Sequence, residues 1–364
     1  MRRRTALLGI TITVLLSYGQ PTTDTERAGL LPVKLNGKYG YIDRIGRLAI
    51  NPQYDFAWPF SEGLAKVETK GRVGYIDTTG GLVIDPQFDD ATDFCEGLAQ
   101  VRLDDKWGHI DRTGKLTADP QFDDVGPFVE GLAPVRTDGK WGHVDKTGKF
   151  VVGPLYDYVG IFREGRAWVW IGEKCGYIDK TGKMVINPQF DDAGDFSEGV
   201  AKVKIGGSVK GKWGFIDKTG RIAINPQFDD VGSFSEGRAW VEIGSKQGYI
   251  DKSGNLVIKT VFGVAWSFCE GLANVWIEGR YGYIDRDGKI IMIPQFDEAE
   301  PFSDGLAQVK IGEKWGYVDK TGKYAINPQF DDARPFSGGL AAVRVAGKQG
   351  YIDKTGKFVW EPSN

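Results

Sequence analysis

The shortest pattern along the chain has a period of two. In Leu98-Ala99-Gln100-Val101-Arg102 apolar and polar side chains alternate, which predicts a strand with one buried face. Asp105-Lys106 turns into a second strand, Trp107 to Ile110. Asp111-Arg112-Thr113-Gly114 then predicts a tight turn, because Asp bonds the backbone two residues on and Gly accepts a positive φ. A third strand follows, as in Met184-Val185-Ile186. Asn187-Pro188 ends it, since proline lacks the amide donor and restrains its predecessor. The connector from Gln189 to Glu198 leads to the next glycine.

This pattern recurs along most of the chain. Its phase-marking glycines are 40, 74, 108, 142, 176, 214, 248, 282, 316 and 350, at intervals of 34 residues except for one of 38. Length alone suggests two or three domains, but a fixed period of this size marks one continuous array. Units begin at 29, 63, 97, 131, 165, 199, 237, 271, 305 and 339, and the array runs from 29 to 364. Each unit reads as a three-stranded antiparallel meander plus a link. Tetratricopeptide helix pairs share the period, but Asn-Pro, Thr-Gly and Glu-Gly recur inside every candidate helix, at about 1 kcal/mol per Gly and 3 per Pro. One meander cannot close a core. The aromatic slots (Tyr54, Phe88, Phe122 and Phe60, Phe94, Phe128 in the first units) must therefore bury against neighbouring units. The expected fold is all-β, an open, twisted β-solenoid or superhelix of about ten meanders. A closed propeller-like ring is the alternative, 34 residues being short for a four-stranded blade.

The N-terminus is a different kind of sequence. Arg2-Arg3-Arg4 precedes the apolar run Ala6 to Leu16, and small residues precede a cut before Gln20. That is the layout of a secretory signal peptide over 1–19, followed by a polar leader over 20–28. The expected mature protein is exported, periplasmic or extracellular, with no membrane span once the signal is removed. Cys95, Cys175 and Cys269 are too few for a disulfide framework and read as substitutions within the repeat.

The aromatic–Gly–Tyr-Ile-Asp-Lys-Thr-Gly-Lys stretch, with its Pro-Gln-Phe-Asp and Phe-Ser-Glu-Gly-Leu-Ala follow-on, resembles the bacterial WG-repeat family over nearly all of 29–361. The resemblance implies a β-rich repeat array and no enzyme activity. Val73, Cys175, Gln247 and Gln349 depart from it in the Trp slot, as does Lys259-Thr260-Val261 where Asn-Pro-Gln is expected.

Candidate chemistry is sparse. His109 and His143 fill a slot otherwise held by Tyr, so packing is the expected role; two ligands without a third make a weak metal site. Paired carboxylates such as Asp89-Asp90 and Asp191-Asp192 recur in most units. Recurrence points to turns and solvation rather than to the two differentiated carboxyls of a glycosidase. Ca²⁺ between stacked loops is a weaker option, and no other cofactor is expected. Lysines mark the Asp-Lys-Thr-Gly turn, predicting a basic ridge opposite an acidic one formed by the connectors. A net charge of −3 gives no support for nucleic-acid binding.

Extra aromatics are the most informative departures. Trp168 and Trp240 replace polar residues in the first strand, Trp170 and Trp276 do so two positions on, and Tyr158 and Trp266 enter the connectors. Arg166 and Arg238 accompany Trp168 and Trp240, consistent with guanidinium packing over indole. By period two these tryptophans point away from the Ala/Val face. They form a candidate aromatic patch over 158–276, which also holds the only loop insertion, near Gly206-Gly207-Ser208-Val209. Such a patch suits a sugar ring or a protein hot spot. The expected function is a non-catalytic binding or scaffold protein of the cell envelope or exterior, recognising a protein or envelope polysaccharide through its outer surface. An inert spacer, a Ca²⁺-stabilised adhesin-like module and a hydrolase are the alternatives.

Overall fold

The computed structural model describes residues 29–363; the signal and leader segments expected over 1–28 lie outside the described residues. The array is a closed ring of ten small antiparallel sheets, a ten-bladed β-propeller, and not an open solenoid. Blade 1 has the strands Leu31–Leu35, Lys38–Ile42 and Leu48–Tyr54. Blades 2 to 10 span 56–88, 90–122, 124–156, 158–190, 192–228, 230–262, 264–296, 298–330 and 332–363, and each has four strands. In blade 3 these are Asp90–Ala91, Leu98–Leu103, Lys106–Asp111 and Leu116–Phe122, here called the inner, second, third and outer strands.

The three-stranded expectation is therefore also corrected. The connector is itself a strand: Asp90 and Ala91 pair with Arg102 and Val101, and Cys95 bridges to Leu98. Thirty-four residues suffice for a four-stranded blade because one residue, such as Asp123, separates the outer strand of one blade from the inner strand of the next.

The outer strand also bulges against its own blade, with a register shift between its pairs Tyr317–Ile326 and Trp315–Phe330. The segment after the outer strand's first pairs passes directly over the glycine of the third strand. A Cβ built on Gly316 would stand 2.6 Å from Ile326 O and Pro328 N and 2.8 Å from Asn327 C. The same bulge recurs at Gly74, Gly108 and Gly214. Asn-Pro suits the bulge, where no ladder partner awaits the proline nitrogen. After the bulge the outer strand pairs once more, Phe330 with Trp315, and Asp331 then leads to the next blade's inner strand. The short inner strands thus converge on the axis, and the seven-residue outer strands form the perimeter, where Leu82 and Leu116 are exposed.

Each blade buries both faces against its neighbours. Between blades 5 and 6, Cys175, Tyr177 and Ile186 meet Phe196, Ala201, Val203 and Ile216. A belt of polar links runs round the ring beside this core. Glu96 accepts from Gly131 N at 2.9 Å and pairs with Lys146 of the next blade, and Glu130 does the same with Gly165 N and Lys180. These glutamates hold left-handed backbone, with φ of 53° at Glu96 and 55° at Glu130, a strained setting for a side chain that the inter-blade contacts hold in place.

The seam between blades 10 and 1 uses the same contacts. Arg44 occupies the Lys146 slot and donates to Gly338 O at 3.2 Å, as Lys146 does to Glu96 O at 2.6 Å. Tyr351 donates its hydroxyl to Pro32 O at 2.9 Å, and Val33, Ile42 and Tyr351 form one buried cluster. An open array has no contact between its first and last sheets. The expected basic and acidic ridges do not form either. The Asp-Lys-Thr-Gly lysines pair with the Glu belt on one face, and connector aspartates pair with Lys or Arg of the third strand on the other, as in Lys174–Asp191 and Lys314–Asp331.

Candidate functional site

The inner edges combine a fixed backbone with changing side chains. In blades 2, 3, 5, 6, 8, 9 and 10 the residue after the inner strand's Ala or Val has its carbonyl held by the preceding blade's third strand. Tyr41 donates to Trp58 O at 2.8 Å, Tyr249 to Trp266 O at 2.7 Å, Tyr283 to Glu300 O at 2.7 Å and Tyr317 to Arg334 O at 2.8 Å. His143 places Nε2 2.8 Å from Gly160 O in the same role. Burial pushes these tyrosine hydroxyls far above their ordinary pKa, so they remain donors. The side chains so positioned differ from blade to blade: Trp58, Thr92, Trp266, Glu300 and Arg334, with Gly in blades 4 to 7.

Two clusters stand out along this edge. Lys66 lies 4.4 Å over the Trp58 ring, donates to Ala91 O at 2.8 Å and neighbours Asp93. Asp93 is exposed, with protein atoms packed around its carboxyl. That burial raises its carboxyl pKa, with Lys66 opposing. In the same slot three blades on, Asp195 accepts from Trp168 Nε1 at 2.9 Å. Burial raises its pKa too, opposed first by that hydrogen bond and then by Arg163 and Lys202. Glu300 is raised by burial and by Glu298.

The eight residues singled out in the sequence do not form one outer surface. Trp168, Trp240 and Trp266 belong to the inner edge. Trp168 and Trp240 lie half-buried between blades, over Gly160 and Gly232, and Trp266 is 45% exposed. Tyr158, Trp170 and Trp276 belong to a cross-strand triplet on one face of the ring, made by the start of the inner strand, the end of the second and the start of the third. In blades 4 and 9 that triplet is acid, cation, indole: Asp124–Arg136–Trp141 and Glu298–Lys310–Trp315, with the cation 5.8 and 5.6 Å from the ring centroid. Blade 5 replaces it by Tyr158–Trp170–Cys175, so Trp170 fills the volume that Cys175 gives up. Arg166 and Arg238 sit at the opposite ends of their strands, where Arg238 Nε donates to Arg286 O at 3.2 Å. Neither lies over an indole among the described residues, which corrects that expectation.

The sequence reading missed Trp58, Asp93, Asp195, Glu300 and Arg334. Their signal was variability inside a fixed frame, two and one residues before an unvarying Phe. Cys95 and Cys269 act as the serine of their slot: their thiols donate to Phe128 O at 3.4 Å and Phe302 O at 3.1 Å, as Ser61 does to Phe94 O at 2.8 Å. Among the described residues no three His, Cys, Asp or Glu side chains are grouped to hold a metal ion, and no helix is long and apolar enough to cross a membrane.

No curated protein matches this chain. Among solved structures it is similar to the extracellular domain of what is described as a hybrid two-component system of B. thetaiotaomicron, at 11% identity and a TM-score of 0.27 over 92% of this chain; the chain spans 57% of that domain. It is also similar to Kluyveromyces lactis Hsv2p, at 12% identity and a TM-score of 0.32 over 64% of this chain and 75% of that one. Scores this low carry no conclusion about function. The family described as "WG containing repeat" matches in tandem over 39–72, 74–107, 107–141, 141–175, 176–208, 213–246, 248–280, 281–315 and 315–348. The chain belongs to the WG-repeat family.

Proposed function

We propose that the ring is a non-catalytic binding scaffold that holds an extended protein segment at its inner edge. The observation that carries this reading is the fixed carbonyl under a variable side chain. A framework that keeps Trp58, Trp266, Glu300 and Arg334 at equivalent points, while blades 4 to 7 present Gly, spends its variation where a partner is read. Aromatic and charged side chains of both signs suit a peptide better than a neutral sugar. The N-terminal apolar run makes the periplasm or the cell exterior the proposed place of action.

The test is capture of an array of extended peptides and an array of glycans by the purified protein, compared with a Trp58→Ala/Trp266→Ala variant whose melting is unchanged. Retention of peptides, weakened at least about tenfold in the variant, supports the reading. Retention of glycans alone, or peptide capture that the variant keeps in full, overturns it.

A further inference from the structure

Eight of the ten interfaces between blades share a carboxylate clamp among the described residues. One oxygen of the aspartate that links two blades takes the cation opening the third strand of the first blade. The other oxygen takes a backbone N–H in the turn after the second strand of the next. At Asp331 these donors are Lys314 Nζ at 2.5 Å and Ala346 N at 2.6 Å; at Asp157 they are Lys140 Nζ at 2.5 Å and Gly172 N at 2.8 Å. Both favour the charged form, and the lysine contributes most to holding these carboxyls below the ordinary carboxylate range.

The clamp lacks its aspartate at two interfaces. Between blades 7 and 8 Gly263 takes its place, and the Trp276 ring fills the space: a Cβ on Gly263 would lie 2.1 Å from Trp276 Cε3. At the seam both donors are kept. Lys348 and Asn36 stand where Lys314 and Ala346 stand one blade earlier, and the φ of 52° at Asn36 matches the 50° at Ala346. Both residues are exposed. Among the described residues Lys348 forms no ion pair, the N–H of Asn36 donates to no acceptor, and blade 1 has no inner strand to bring an aspartate there. Next along the strand, Gln349 lines a cavity of about 60 Å³ with Asp332, Arg334, Ala342 and Arg344. Asp332 lies 3.8 Å from Arg334, which leaves Arg344 without an ion pair among the described residues.

We propose that this seam clamp binds an aspartate side chain of the extended partner segment, one carboxylate oxygen on Lys348 Nζ and the other on Asn36 N. The assignment rests on the reading of the inner edge as a peptide scaffold, and it specifies that segment's charge. Charge complementarity selects the occupant: two donors that grip a carboxylate at eight equivalent places lie beside a further uncompensated guanidinium. Arg334, one of the inner-edge residues, joins the clamp to the rest of that edge.

The experiment is fluorescence anisotropy of the full chain with a labelled, end-capped peptide of sequence Pro328 to Phe336, whose Asp331 fills the clamp of blade 10. Binding is expected, about tenfold weaker for the Asp331→Asn peptide and for a Lys348→Gln ring of unchanged melting. A Lys348→Glu ring should prefer the Asp331→Lys peptide. Equal binding of the Asp and Asn peptides, or of the parent and Lys348→Gln rings, overturns the proposal. So does an Asn peptide that regains affinity with a free C-terminus, which would assign the clamp to a terminal carboxylate. An Asp24→Asn/Glu26→Gln ring that binds about tenfold tighter would make the chain's own leader the occupant and overturn it too. If array peptides still lose affinity in the Trp58→Ala/Trp266→Ala variant but keep it in the Lys348→Gln ring, the clamp alone fails. Rings that bind no extended peptide at all remove both readings.

Discussion

Gly316→Ala tests the bulge that lays the outer strand's Asn-Pro segment over the third strand. The backbone of Gly316 is not left-handed, so conformational strain is no objection to a side chain there. The objection is space. The new methyl carbon would lie 2.6 Å from Ile326 O and Pro328 N, well inside an ordinary contact, and both atoms belong to the backbone of the bulged outer strand. They cannot rotate away as a side chain would, so the outer strand or its pairing must move. Overpacking costs typically about 1–3 kcal/mol, and rigid neighbours place this case at the upper end. At about 2.1 cal/mol/K per residue, a ring of this size has an unfolding entropy of about 0.7 kcal/mol/K, so a loss of roughly 3 kcal/mol lowers Tm by about 4 °C. The control is Gly153→Ala. That glycine is also free of left-handed backbone, and its added Cβ would meet only Leu155 Cγ at 3.9 Å. Here reduced entropy of the unfolded chain predicts a gain of about 0.4–1 kcal/mol. Differential scanning calorimetry of the two variants decides the matter. A Gly316→Ala protein that melts with the parent would refute the close approach at the bulge.

His109 and His143 give a pH prediction. Both are fully buried, and burial lowers each pKa from 6.5 to about 4. The unfolded chain therefore binds these protons at a higher pH than the folded chain. Their stabilisation is complete above pH 6.5 and is lost as the pH falls towards 4, by up to roughly 3 kcal/mol for each. Phe215 occupies the same slot, so His109→Phe should flatten the decline between pH 6.5 and 4; an unaltered decline contradicts the assignment. At lower pH the turn aspartates take over. The Thr181 hydroxyl holds Asp179 below the ordinary carboxylate range, and Thr321 does the same for Asp319, so their contribution is present above that range and lost on acidification through their lowered pKa. For the blade 5 triplet, Cys175→Trp alone should destabilise by about 1–3 kcal/mol through overpacking. Adding Trp170→Arg should recover most of that loss, and additive effects in the double-mutant cycle would count against a volume exchange.

Much of the fold is legible in the repeat. Alternation in Leu98 to Arg102 and the Asp-x-Thr-Gly turns place the strands and exclude helices, but Asn-Pro does not stop the outer strand as expected: it runs on to Phe190, which pairs with Cys175 beyond a bulge. The fourth strand was hidden because it lacks alternation: only Asp90 and Ala91 pair continuously before the chain bulges towards Phe94. Closure was hidden for a different reason. A period shows that each step between sheets is alike, whereas solenoid and ring differ in the angle of that step, which is set by packing of Tyr177 and Phe196 between blades. The same packing relocates the candidate site. In an open array the second strand's polar face is outside, but in a ring it faces the next blade, and Trp168 bonds Asp195 there. The aromatic departures drew attention by their size. The inner-edge slot shows itself once the tyrosine-held carbonyls are seen to line up.

Closure itself is the claim on which the rest depends, and one distance comparison tests it directly. Spin labels at Arg44→Cys and Gly338→Cys span the seam between blades 1 and 10, and labels at Lys146→Cys and Glu96→Cys occupy the same slots in adjacent blades 4 and 3. With Cys95, Cys175 and Cys269 replaced, double electron–electron resonance on the two pairs should return the same short distance. A seam distance that lies far beyond the adjacent-blade one would mean an open array and would contradict the ring.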